Sequence, residues 1–340
     1  MDKGFYVALE NRFRGSEELV KERQKKYLKF INPLKDIKDH VSALDIGCGR
    51  GEWLSLLNEN GFLARGIDID DDMVELCLKK GFNTKKNDAL SELKSLEDNS
   101  VDIISAFQVV EHIDFDDVLD ICKEAMRVLT PCGILILETP NPENIMVSTH
   151  WFYLDITHKK PIPCDLLAFA TEYCGFKRNF IIRLNEKELN LSGYDMDLFD
   201  VFEKVSPDYS IVSQKDGSNI GIFDPAFSEG YGINLDQISH MYSHILRMHN
   251  KNMNERIDQN ILSLKEEIEG IKNSRSWRIT KPLREAVGLI RDIKGQVGAY
   301  LDKFMFIVKK INLSSIFSLN QSNILTKKEL EIYEKLRKKD

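Results

Sequence analysis

Short apolar runs alternate with amphipathic stretches through the first two thirds of the chain. Ser42-Ala-Leu-Asp-Ile46 is an apolar run that ends in glycines, the pattern of a buried strand. Glu52 to Asn58 reads as a helix and Phe62 to Ile69 as the next strand. Asp72 to Lys80 is helical and stops at Gly81, which suits a helix C-cap. Val101 to Ala106 is again a strand, and Phe115 to Leu129 is a helix closed by Pro131. Gly133 to Glu138 is a strand followed by Thr-Pro-Asn-Pro. Strands alternating with helices at this spacing predict an α/β fold, a parallel sheet covered on both faces. Phe180 to Leu184 and Tyr209 to Gln214 are expected to close the sheet as a pair. Ahead of the sheet, Ser16 is placed to cap a helix from Glu17 to Ile31.

The pattern changes after about residue 216. Residues 216 to 236 are rich in Gly, Ser, Asn and Phe and read as a linker or cover. Ile257, Ile261, Leu264, Ile268 and Ile271 then repeat at 4-3-4-3, a seam of barely two heptads. That fits a helical hairpin or local packing as well as a coiled coil. Beyond Pro282, Leu283, Val287, Ile290, Val297, Leu301, Phe304, Val308 and Ile311 keep a helical stripe, with Gly288, Gly295 and Gly298 weakening it. Charge divides the chain in the same place. Between Arg275 and Ile311 nine basic residues face three acidic ones, a local +6 in a chain of −7, so the remainder carries −13. The expected parts are an N-terminal helical lid at 1–38, a catalytic domain at 39–216, a linker and seam helix at 217–273, and a basic amphipathic tail at 274–340.

Composition narrows the class. The chain has 340 residues, 42% apolar and 30% charged, ordinary for a soluble globular protein and unlike a collagen, a disordered chain or a disulfide scaffold. No apolar run approaches the ~20 residues of a membrane-spanning helix, and the first residues lack a signal-peptide layout. Six cysteines at 48, 77, 122, 132, 164 and 174 form no Cys-x-x-Cys pair, which predicts reduced thiols, a cytoplasmic location and no cysteine-held zinc.

Asp45-Ile-Gly-Cys-Gly-Arg-Gly51 sits after a strand and before a helix. Its glycines let the backbone turn tightly and approach a ligand. The spacing is Gly-x-Gly-x-Gly rather than the dinucleotide Gly-x-Gly-x-x-Gly. Asp45 before it and Glu52 after it suit a ligand carrying positive charge, such as an ammonium beside a sulfonium, better than a pyrophosphate. Asp68 ends the second strand about twenty residues on, where a carboxylate can accept both ribose hydroxyls. Asp71 and Asp72 read as a solvated turn and helix N-cap. Asp88, in Asn87-Asp-Ala89, is expected at the end of a further strand and can accept a hydrogen bond from an adenine amino group.

Together with Gly66-Ile-Asp68, Val109-Val-Glu-His112 and Leu129-Thr-Pro-Cys-Gly133, these segments resemble the class I S-adenosylmethionine-dependent methyltransferases from about residue 40 to 185. Cys132 departs from the family, which commonly has glycine there. The resemblance implies a Rossmann-like seven-stranded sheet with an antiparallel last hairpin, and S-adenosyl-L-methionine as cofactor. The cofactor residues expected are Asp45, Gly47, Gly49, Gly51, Asp68, Asp88, Ala89, Gln108 and Arg14. A narrower likeness joins Phe13-Arg-Gly-Ser16, Arg23-Gln24, Glu138 to Asn144, Phe152 to His158 and Ser274 to Arg284 to methyltransferases of bacterial O-antigen and related surface-polysaccharide clusters, some of which terminate the glycan chain. No His-Arg-Asp or Asp-Phe-Gly set accompanies it, so a kinase activity is not expected.

Methyl transfer to a hydroxyl needs a group that removes its proton. His158, with Asp155 three residues before it as its orienting carboxylate, is the favoured pair, and His112 is the third candidate. Each also has a structural reading, as a loop-fixing pair or a hydrogen-bonded histidine. Arg14 or Arg23, on a helix closing over the site, would meet the cofactor carboxylate or an anionic acceptor. His240 and His244 stand at i, i+4 but lack a third ligand, so no metal is expected. The basic tail suits an anionic membrane surface, a partner protein such as a glycosyltransferase, or packing on the catalytic domain. It lacks the stacking platform of a nucleic-acid binder. The function expected is O-methylation of a sugar hydroxyl of a glycan or lipid-linked glycan. The rivals are methylation of a small quinone or lipid precursor, and a scaffold that binds a glycosyltransferase.

Overall fold

The computed structural model describes residues 15–187 and 196–313, with side chains to residue 307, in two units, one up to Asn252 and the other from Met253. Among the described residues seven strands form one sheet: β1 Ser42–Ile46, β2 Leu63–Asp68, β3 Thr84–Lys86, β4 Val101–Phe107, β5 Leu129–Pro140, β6 Arg178–Leu184 and β7 Asp208–Gln214. Their order is β3-β2-β1-β4-β5-β7-β6. The first five run parallel, and β7 lies antiparallel between β5 and β6. The expected mixed sheet is therefore present, with its closing hairpin at the predicted residues.

Both sheet faces are buried, and the period of two along each strand assigns its side chains. Leu44, Ile104, Leu135, Leu137 and Ile211 pack with Val118, Ile121, Cys122 and Ala125 of the helix Phe115–Val128. Their strand neighbours Ala43, Ile103, Ile134, Ile136 and Val212 point the other way, onto Trp53, Leu56 and Leu57 of the helix Glu52–Glu59.

The N-terminal segment departs from the single helix expected. Ser16 caps a short helix, α1 (Glu17–Gln24), accepting from the Leu19 amide at 3.2 Å. The chain then tightens into 3-10 turns on either side of Leu28–Ile31. Nor is it a hinged lid. Tyr27, Phe30, Ile31 and Leu34 are fully buried in the second core. At roughly 1.5–3 kcal/mol per fully buried large side chain, lifting all four would cost at least about 6 kcal/mol, so the segment is a fixed wall.

The stretch expected as a linker is also structured. Phe223 is buried, and Phe227 and Tyr231 stack with Phe30 and Phe180. Ile238, near the start of the 39-residue helix Leu235–Asn273, packs with Val201 and Val205. The first unit thus extends well past the boundary expected at 216.

The helix Leu235–Asn273 is uninterrupted, so all five seam residues lie on one helix. Ser274 caps the helix Arg275–Ile279, and the helix Lys281–Leu313 runs through Gly288, Gly295 and Gly298 without ending. No helix among the described residues is long and apolar enough to cross a membrane. All six cysteines are free thiols.

Candidate active site

The chain leaves β1 toward one side of the sheet and enters β4 on the other. Strand order therefore reverses between these neighbours and opens a crevice at their C-terminal ends. Gly47, Gly49 and Gly51 fill it with a loop whose φ values are 68°, 50° and 82°, a region where only glycine is comfortable. The fit at Gly47 is also steric, because a Cβ there would stand 2.5 Å from Val109 Cγ2. Asp68, at the end of β2, holds this loop. Its Oδ2 accepts from the Gly49 amide at 2.9 Å and its Oδ1 from the Asp70 amide at 2.9 Å.

The other predicted carboxylates take different settings. Asp45 is buried and accepts from Ser105 Oγ at 2.7 Å, across the β1–β4 register. Asp88 is exposed and caps α2 (Ala89–Lys94), accepting from the Ser91 amide at 2.9 Å; the Ser91 side chain first, and this amide next, hold its carboxyl below the usual range. Ala89 is the first residue of that helix. Glu52 does not frame the loop as an open charge, since it is buried and paired with Arg50. Asp70, not Asp71 or Asp72, caps the helix Asp71–Lys79. Arg14 lies outside the described residues. The sites expected from Asp45 to Ala89 therefore line the ends of consecutive strands, a donor set of glycine backbone and carboxylates that fits an adenosyl group with a cationic tail.

On the β4–β5 side, Gln108 sits at φ 56° with its side-chain amide shared between Glu138 Oε1 at 3.3 Å and Asp208 Oδ1 at 3.2 Å. Its side chain is thus spent on a cluster that the sequence did not reveal. Glu138 also accepts from the Tyr27 hydroxyl of the N-terminal wall, and Asp208 from Asn185 at 2.8 Å. Burial raises Glu138 to about 7, and Asp208 nearby adds to the rise. Burial raises Asp208 as well. The signal for Asp208 was available in the topology. Because β7 is antiparallel, its first residue lies opposite Pro140 at the same sheet edge as the ends of the parallel strands.

Past β4, a 3-10 turn at Val110–His112 presents His112, and the loop after Trp151–Leu154 brings His158 to it. Their ring centroids are 4.7 Å apart. His158 Nδ1 donates to the Phe152 carbonyl at 2.6 Å. Thr157 Oγ1 gives its proton to Asp155 Oδ1 at 2.6 Å and accepts from His112 Nδ1 at 2.8 Å. The expected wiring is therefore corrected. Asp155 orients His112 through Thr157, and Phe152 orients His158, whose Nε2 stands 3.9 Å from Asp155 Oδ2, too far for a hydrogen bond. Both imidazoles keep Nε2 clear of these ties. Burial, and next the neighbouring His158, lower the pKa of His112, which keeps it neutral. Glu111 beneath them is fully buried, accepts from Thr139 Oγ1 at 2.9 Å, and is raised to about 8 by burial. His240, by contrast, is exposed beside Asp236.

Known proteins resemble the chain in sequence and in fold. A methyltransferase-domain family model matches residues 44–137. An S-adenosylmethionine-dependent methyltransferase structure from Archaeoglobus fulgidus is 33% identical and superposes with a TM-score of 0.55, covering 62% of this chain and 100% of that one. A probable S-adenosylmethionine-dependent methyltransferase of Mycolicibacterium smegmatis is 33% identical over 100 residues, 29% of this chain and 38% of that protein. A ubiquinone biosynthesis O-methyltransferase of Methylococcus capsulatus is 27% identical over 128 residues, 34% of this chain and 53% of that protein. The chain thus spans between a third and about a half of the length of these curated relatives. A glycine cradle at the switch point, acids along the strand ends and a likeness that takes in the whole of a solved member place the chain among the S-adenosylmethionine-dependent methyltransferases, with S-adenosyl-L-methionine as its cofactor.

Proposed function

We propose that the protein transfers a methyl group to a hydroxyl oxygen, and that the acceptor is a sugar of a bacterial surface glycan. The observation that carries the oxygen acceptor is the imidazole pair at the rim, with both Nδ1 atoms tied down and both Nε2 atoms left to meet a proton. The sugar rests on the narrower sequence likeness, which includes Phe152 to His158, the segment that brings His158 to the site.

Bound in the glycine cradle, the cofactor supplies an electrophilic methyl carbon on a sulfonium, whose sulfur keeps the electron pair as the bond breaks. The protein must hold the acceptor oxygen ~3 Å from that carbon, in line, and take its proton. His158 Nε2 is the base, because the Phe152 carbonyl holds the Nδ1 proton and so leaves the Nε2 lone pair to accept, with Asp155 Oδ2 standing 3.9 Å away. Asp155 anchors His112 through Thr157. Tyr27, hydrogen-bonded to Glu138, forms the buried wall beside Gln108.

The likeness to a ubiquinone biosynthesis O-methyltransferase supports a second reading, a small quinone or lipid precursor as acceptor. Mass spectrometry of surface glycan from cells with and without the gene separates the two. A terminal sugar lighter by one methyl in the deletion, restored by the wild-type chain and not by His158→Ala, is expected. An unaltered glycan would remove the sugar acceptor. Purified His158→Ala should still bind S-adenosylmethionine.

The basic helical tail of the second unit is proposed to rest on an anionic surface near the site of glycan assembly. Its described part carries Arg275, Arg278, Lys281, Arg284, Arg291, Lys294 and Lys303, and Arg284 stacks on Trp277 at 3.5 Å.

A further inference from the structure

Glu111, His112 and His158 converge. One ligand-capable atom from each lies within 4.8 Å of the other two. The hydrogen bonds show which atom of each residue is left to take a ligand. Glu111 Oε2 is occupied by Thr139, whereas Oε1 is fully buried without a hydrogen-bond partner. Both histidine Nδ1 atoms are engaged, which leaves Nε2 on each. A buried carboxylate oxygen with no donor is costly, of the order of 1–3 kcal/mol or more, unless something satisfies it.

We propose that these three residues bind a divalent transition-metal cation, Zn2+ in the first instance, through Glu111 Oε1, His112 Nε2 and His158 Nε2, with a fourth position left to a non-protein ligand on the partly buried histidine side.

Two imidazoles and one carboxylate suit zinc or cobalt better than the all-oxygen preference of magnesium and calcium. Three protein ligands with an open fourth position is the arrangement of catalytic rather than structural zinc sites. Around a tetrahedral ion with bonds of about 2.1 Å the ligand atoms stand roughly 3.4 Å apart, and one ligand-capable atom of each of the three residues already lies within 4.8 Å of the others. The surroundings match as well. Metal-binding histidines donate their other ring N–H to a carbonyl or, directly or through a neighbour, to a carboxylate. His158 does so to Phe152, and His112 does so through Thr157 to Asp155. With the ion in place both Nε2 lone pairs are taken. In the loaded protein the ion would take over from His158 by weakening the hydroxyl's hold on its proton, which solvent water would then accept, whereas the metal-free protein keeps His158 Nε2 as the base. Only that consequence rests on the methyl-transfer reading; the site stands on its own geometry.

The test is titration of chelator-treated full-length protein with Co2+ and Zn2+, followed by calorimetry and by the visible absorption of Co2+. One equivalent of Co2+, displaced by Zn2+, is expected. His112→Ala and His158→Ala should each weaken binding at least tenfold. Thr157→Val, which touches no metal, should weaken it about tenfold through the lost second hydrogen bond. His240→Ala with His244→Ala should leave binding unchanged. If Glu111→Gln fails to fold by circular dichroism, the two histidine variants at partly buried positions decide. No stoichiometric binding by the wild type, or binding that survives loss of either histidine, overturns the site. Cofactor binding measured on the same sample keeps the outcomes apart. A chain that binds S-adenosylmethionine without metal refutes this proposal alone, and one that binds metal without cofactor refutes the functional reading.

Discussion

Replacing Gly47 by alanine tests the cradle at the point where loop and rim meet. Two costs can be worked from the structure. Alanine at φ 68° loses about 1–2 kcal/mol to the left-handed backbone. Its Cβ would also stand 2.5 Å from Val109 Cγ2, about 0.9 Å inside ordinary contact, and overpacking of that kind costs ~1–3 kcal/mol. Val109 leads directly into the turn Val110–His112, so relief of the clash displaces His112 as well as the loop. At 1.4 kcal/mol per tenfold, a combined cost of at least about 2 kcal/mol weakens S-adenosylmethionine binding by roughly thirtyfold or more in isothermal calorimetry. The two costs are separable. Val109→Ala removes the clashing methyl, because the remaining Cβ is 3.8 Å away, and leaves the backbone cost untouched. The double variant should therefore recover about tenfold of the lost affinity and no more. A double variant no better than Gly47→Ala, or a single variant within fivefold of wild type, would refute this account.

Two further outcomes are expected. Glu138 is raised to about 7 from an ordinary value of 4.5, so the folded chain holds a proton that the unfolded chain releases. Its contribution is full below about pH 4.5 and is lost as the pH rises through 7. Glu138→Gln should consequently flatten the fall of the urea midpoint between pH 5 and 8, and parallel curves for the two proteins would exclude Glu138 as the cause. In the tail, replacing Arg275, Arg278, Lys281 and Arg284 by glutamate should abolish co-sedimentation of the full chain with anionic vesicles at low salt, each basic residue contributing about 1 kcal/mol near such a surface. Unchanged sedimentation would sink the membrane proposal.

What the residues alone determined is local and periodic. Runs of four to seven apolar positions, and glycines where the backbone must turn to positive φ, follow from the chain's own stereochemistry. The strands, the Gly47–Gly51 loop and Asp68 at the end of β2 were therefore legible. Even the departure at Cys132 was visible, and the structure shows why glycine is usual there, since Cys132 sits at φ 65°. Segments whose conformation depends on distant partners were not legible. The wall around Tyr27 reads as a plain helix until the aromatic contacts with Trp53 and Phe107 break it into short turns. The seam at Ile257 to Ile271 cannot reveal its partner, because a short apolar stripe fits many.

Site chemistry divides along the same line. Sequence placed His112, Asp155 and His158 near one another, but hydrogen bonding is directional and Thr157 intervenes, so Asp155 serves the histidine 43 positions away and not the one three residues on. Glu138 and Asp208 are 70 residues apart and share Gln108 only because β7 runs antiparallel to β5. Charge and spacing fix which residues can act. Burial and the meeting of distant strands decide their protonation and their partners, because both depend on how much water and which charges the folded chain leaves beside each group.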